Sequence, residues 1–176
     1  MYVVPGERVK QIITGHFSGV VRHHNRFYAA NKITATVHVF EYASEWKHCH
    51  SFSVNITKNW RITLCISNNL LYACLSGDNR IDMFSRDGHL LSSTGSNGHG
   101  GPGQLRCPFI CATDAAGDVL IADHTNHRLQ LLSANGQWSI VQLQPPVVRP
   151  CGACLMNETL YVNEEDRRIL HVYKME

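Results

Sequence analysis

Apolar residues along the chain alternate with polar ones or gather in runs of about five, and short polar clusters separate the runs. Val37-His38-Val39-Phe40, Asn69-Leu70-Leu71-Tyr72-Ala73, Asp118-Val119-Leu120-Ile121-Ala122 and Thr159-Leu160-Tyr161-Val162 are of this kind. Arg86-Asp87-Gly88, Ala115-Ala116-Gly117, Ala134-Asn135-Gly136 and Met156-Asn157-Glu158 stand between them and have hairpin-turn chemistry. No stretch of a dozen residues repeats the i, i+3, i+4, i+7 spacing of an amphipathic helix. The pattern predicts an all-β chain of short strands.

The strands recur as a unit. The best-marked copy runs from Pro108 through Asp114, turns at Ala115-Ala116-Gly117, and continues as Asp118 to Asp123. The loop His124-Thr125-Asn126-His127 and the strand Arg128-Leu129-Gln130-Leu131-Leu132 complete it. Anchored on the Arg position, four copies stand at Thr36, Arg80, Arg128 and Arg168, 40 to 48 residues apart. That is the period of a β-propeller blade, one four-stranded sheet per repeat. The expected architecture is a single propeller domain over residues 1–176, with blades near 12–54, 60–95, 106–143 and 149–173. The fourth repeat has no outer strand after Tyr173, and residues 8–13 form an orphan strand at the other end. Pairing the two would close a four-bladed ring and hide both sheet edges. An open fragment or an edge-paired dimer is the alternative.

The stretch Gly98-His99-Gly100-Gly101-Pro102-Gly103-Gln104-Leu105-Arg106-Cys107-Pro108, with Ile121-Ala122-Asp123, Asn126-His127-Arg128-Leu129 and Gly136, resembles the NHL-repeat family. The resemblance is close over residues 95–136 and weaker in the other three repeats. It implies a propeller that serves as an interaction platform, as at the C-terminal end of tripartite-motif proteins, some of which bind RNA. It also implies a structural pair between Asp123 and Arg128. The family's Asp falls on Leu75 in one repeat and Asn163 in another, and its Arg is Thr36 in the first.

Composition narrows the chemistry. Charged residues make up 17% of the chain and the net charge is +2, too small for a protein living on polyanions. The first residues break into charge before a signal core forms, and the longest apolar run, Leu70 to Leu75, is far short of a membrane span. A soluble, cytoplasmic protein is expected, and the seven Cys then read mostly as small buried hydrophobes. His48 and His50, two apart on a strand, would project to one face, but no second ligand pair accompanies them. Cys151 and Cys154 lie on a strand that points them to opposite faces. Glu164-Glu165-Asp166 beside Arg167 and Arg168 reads as a solvated loop. No nucleophile elbow or phosphate-cradling helix start is present. The expectation is therefore no enzyme activity, no metal and no cofactor.

Binding then falls to the long loops at one end of the blades. That face gathers Lys32, Lys58, Asn59, Trp60, Arg61, Asn79, Arg80, His99, Arg106, His124, Asn126, Arg149 and Arg167 against a smaller set of acids. The leading expectation is a non-catalytic scaffold that binds a protein partner there. Single-stranded RNA binding through the same weakly basic face is the alternative. A lyase resembling the propeller-fold amidating enzymes, with zinc on channel histidines, ranks third, since few His fall on inner strands.

Overall fold

The computed structural model describes residues 13–58 and 60–174, without the Cys111 side chain. Asn59 and the greater part of the orphan strand at 8–13 therefore lie outside the described residues.

Four antiparallel meanders follow one another along the chain. Sheet I holds β1 (Phe17–His23), β2 (Arg26–Asn31), β3 (Thr36–Tyr42) and β4 (Trp46–Ser53). Sheet II holds β5 (Ile62–Ser67), β6 (Leu70–Leu75), β7 (Arg80–Phe84) and β8 (Leu90–Thr94). The crossing that follows contains β9 (Ser96–Asn97) and β10 (Gln104–Leu105), a short parallel pair. Sheet III holds β11 (Pro108–Thr113), β12 (Val119–Asp123), β13 (Arg128–Leu132) and β14 (Trp138–Val141). Sheet IV has three strands, β15 (Pro150–Met156), β16 (Thr159–Glu164) and β17 (Leu170–Lys174). The helical content of the described residues is one 3-10 turn, His124–Asn126. No helix among them is long and apolar enough to cross a membrane.

Tight turns make the meanders possible. Asn68 and Asn69 both have positive φ, as do Asn157 and Glu158, which gives two-residue hairpins whose twist matches the strands. Gly117 has a φ of +91° and a Cβ there would sit 2.0 Å from the Asn68 amide, so only glycine fits where sheets II and III meet. The Ser67 hydroxyl donates to the Gly117 carbonyl at 2.8 Å across the same contact.

The core is three layers, each between successive sheets. Tyr28, Val37 and Val39 pack on Ile62, Leu64 and Leu71; Tyr72, Cys74 and Ile81 pack on Ile110, Val119 and Ile121; Leu120, Ala122 and Leu129 pack on Leu160, Val162 and Tyr173. Burial of each large side chain contributes about 1.5–3 kcal/mol. Among the described residues none of these layers joins sheet IV back to sheet I. The far face of sheet IV leaves Met156, Leu170 and Val172 exposed, and Val20 is exposed on sheet I.

Three side-chain placements differ from the sequence reading. A β-bulge between Val39 and Phe40 pairs His50 with Val39 and His48 with Phe40. His48 therefore joins His38 and Phe40, whereas His50 lies beside Phe52, on opposite faces of sheet I rather than one. Of the described cysteines, Cys65 and Cys74 are buried, but Cys49, in the bulge, and Cys154 are exposed. Glu164, expected in a solvated loop, is buried.

Candidate binding face

The loops at one end are held by a buried carboxylate. Asp123 ends β12 with none of its surface exposed. Its Oδ1 accepts the Arg106 N–H at 2.7 Å. Its Oδ2 accepts Arg128 Nε at 2.8 Å, Gln130 Nε2 at 2.8 Å and Asn126 Nδ2 at 2.9 Å. Four donors satisfy a charge that would be intolerable alone. Arg128 then reaches over the glycine-rich crossing and donates to the carbonyls of Gly100, Gly101 and Gln104 at 2.8–3.1 Å. The Gly103 N–H donates to Gln130 Oε1 at 2.9 Å. The crossing is thus a clamped strand-to-strand connection that fixes Arg106 at its end.

Register shows which residues play the same part in the other sheets. Asp123 faces Pro108 at the start of β11; the matching pairs are Asn31 with Phe17, Leu75 with Ile62 and Glu164 with Pro150. The acid of sheet IV is therefore Glu164, not a lost Asp at Asn163. Glu164 Oε1 accepts the Val148 N–H at 2.6 Å, as Asp123 accepts that of Arg106, and also meets His171 Nε2 at 2.9 Å. In sheet II, where Leu75 holds the acid's place, Arg80 pairs with Asp82 at 2.9 Å and Asp78 at 3.2 Å instead. Burial alone would raise the Asp78 carboxyl, but hydrogen bonds from Thr57 and the nearby Arg80 and Lys58 charges hold it below its ordinary value.

The turns between second and third strands and the crossings between sheets emerge together around two adjoining depressions. They share Trp60, Ser76, Cys107 and Thr125, and have volumes of about 360 and 410 Å3. Lys58 and Arg106 line the first; Lys32, Arg61, His124, Arg149 and Glu165 line the second. The structure thus brings together Lys32, Lys58, Trp60, Arg61, Arg106, His124 and Arg149 from all four sheets. His99 is exposed next to them, with its ring 3.3 Å from Arg106 Nη1. Arg80 and Asn126 do not join them: both are committed to internal bonds, Asn126 to Asp123 and the Gly98 carbonyl. Arg167 is exposed outside both depressions, 3.9 Å from Glu164.

Cys107 is kept protonated because burial pushes its thiol up, against a smaller lowering by a bond with Thr125. His124 is 5% exposed; its Nε2 meets Glu165 Oε2 at 2.9 Å, and its Nδ1 is sealed from solvent with no partner. Among the described residues no group of three or more His, Cys, Asp or Glu is gathered as a metal would need. The sequence did not show Cys107, Ser76 or Thr125 as lining residues. A positive φ at Cys107, fixed by its N–H donating to Asn79 Oδ1 at 2.8 Å, turns it inward.

No family model matches the chain, and no curated protein does. Solved structures do match. A protein of unknown function from Bacteroides thetaiotaomicron aligns with a TM-score of 0.76 at 16% identity, over 92% of this chain and 48% of its own. Virginiamycin B lyase from Staphylococcus aureus aligns at 0.63 and 10% identity, over 91% and 56%. BamB from Moraxella catarrhalis aligns at 0.63 and 16% identity, over 89% and 42%. The chain spans about half the length of these structures. The neighbours are β-propeller proteins, so the stacked meanders are a propeller arrangement, and at such identities the likeness concerns the fold alone.

Proposed function

With a β-propeller arrangement as the premise, we propose that this chain is a non-catalytic scaffold that binds a protein partner through its long-loop face. One observation carries the reading. Loops from all four sheets converge on two depressions rimmed by Trp60 and by Lys32, Lys58, Arg61 and Arg106, which have no ion pair among the described residues. The sealed Nδ1 of His124 and the protonated Cys107 thiol support the non-catalytic part. In the same reading the NHL-like features of sheet III serve to clamp the loops. The test is affinity capture with the wild type and with Trp60→Ala/Arg106→Glu. Loss of specific partners from the variant is expected; identical partner sets contradict the face.

A further inference from the structure

We propose that the partner seats an acidic peptide segment in the larger depression, with side-chain carboxylates held by Arg61 and Lys32. This rests on the reading of the face as a protein-binding face and names the chemistry it selects. Three of the cations at this end of the molecule are already neutralised. Arg80 has Asp78 and Asp82, Arg128 has Asp123, and Arg149 has Asp166 at 2.7 Å. Lys32, Lys58, Arg61 and Arg106 have no ion pair among the described residues, and all four line the depressions. Arg61 is also held in place: its guanidinium lies over the Phe109 ring at 5.5 Å from the centroid. That cation–π contact positions the guanidinium, and no hydrogen bond from its N–H donors is present among the described residues, which suits bidentate carboxylate recognition. Glu165, the acid lining the same depression, is engaged by His124 at 2.9 Å and by Arg149 at 4.0 Å, so it offsets little of the charge. Trp60, 55% exposed, offers an apolar wall beside it.

Nucleic acid fits these observations less well. A strand-binding surface sets several stacking aromatics along a continuous basic track. Here one exposed aromatic rims a depression of about 410 Å3, and the whole chain carries a net charge of only +2.

Fluorescence anisotropy tests the proposal with a fluorescein-labelled peptide of alternating Glu and Leu, its Gln-for-Glu counterpart, and labelled oligouridine, at about 50 mM salt. The Glu peptide is expected to bind, and the Gln peptide to bind about tenfold or more weakly. Lys32→Glu and Arg61→Glu should each cost about tenfold, and Glu158→Lys, on a hairpin at the opposite end, should change nothing. Melting curves confirm that the variants fold; Lys32, whose ammonium has no ion pair among the described residues, serves if Arg61→Glu does not. No binding of the Glu peptide, equal binding of the Gln peptide, or indifference to Lys32→Glu overturns the proposal, as does tighter binding of oligouridine. If the peptide fails while the Trp60→Ala/Arg106→Glu capture still loses partners, the face stands and the acidic anchor falls. If both fail, the face itself is wrong.

Discussion

Replacing Asp123 with Ala should be among the most damaging single changes in the chain. The carboxylate has no exposed surface and accepts four hydrogen bonds, one from a guanidinium that itself is largely buried. Its removal leaves Arg128 as a buried charge without its counter-ion and takes one acceptor each from the Arg106 N–H and the Asn126 and Gln130 amides. Breaking such a pair from one side costs about 3–5 kcal/mol. With a urea m-value of about 2 kcal/mol/M, the midpoint should fall by about 2 M with m unchanged. At ~2–4 °C per kcal/mol for a chain of this length, melting should drop by about 10 °C. The crossing at 98–103, which Arg128 clamps, should become sensitive to limited proteolysis. A loss under about 1 kcal/mol would refute the reasoning, because a desolvated charge cannot be orphaned so cheaply.

The assignment of Glu164 as the acid of sheet IV predicts that Glu164→Ala destabilises by about 2 kcal/mol or more, whereas Asn163→Ala, at an exposed position, costs under about 1 kcal/mol in the same denaturation assay; the reverse order would mean the register is misread. Burial first, and then the neighbouring His48, hold the His38 imidazole below its ordinary value. The folded state thus favours neutral His38, so its contribution is complete above the unfolded value of about 6.5 and is lost as pH falls below it. Denaturation midpoints at about pH 7.5 and 5.5 should therefore differ more for the wild type than for His38→Gln. If residues 8–13 complete sheet IV, deletion of residues 1–13 should lower stability and promote association through the edge of β17, read by melting and by mass in solution; an unchanged melt and a monomer would contradict that closure.

The strands and turns were legible because period-two runs and Asn, Asp and Gly turns are local signals. What the sequence concealed depends on register and on distance along the chain. One bulged residue, Cys49, sent His48 and His50 to opposite faces of sheet I. In sheet IV the residue that faces Pro150 is Glu164, one position past Asn163. The Asp123–Arg128 pair was visible as a motif, but its hold on the glycine-rich crossing needed the fold. The repeat phase already set Lys32, Trp60 and Arg149 at the long-loop end; that they share a depression with Cys107 depends on the stacking of the sheets.

The central claim is that the long-loop face is the one that engages a partner. Hydrogen–deuterium exchange of the chain, alone and bound to its captured partner, maps this directly. The account predicts slower exchange at 57–61, 97–107, 124–126 and the backbone near Arg149 and Glu165. Protection confined to the opposite hairpins, around Asn68-Asn69, 114–117 and Asn157-Glu158, would contradict it.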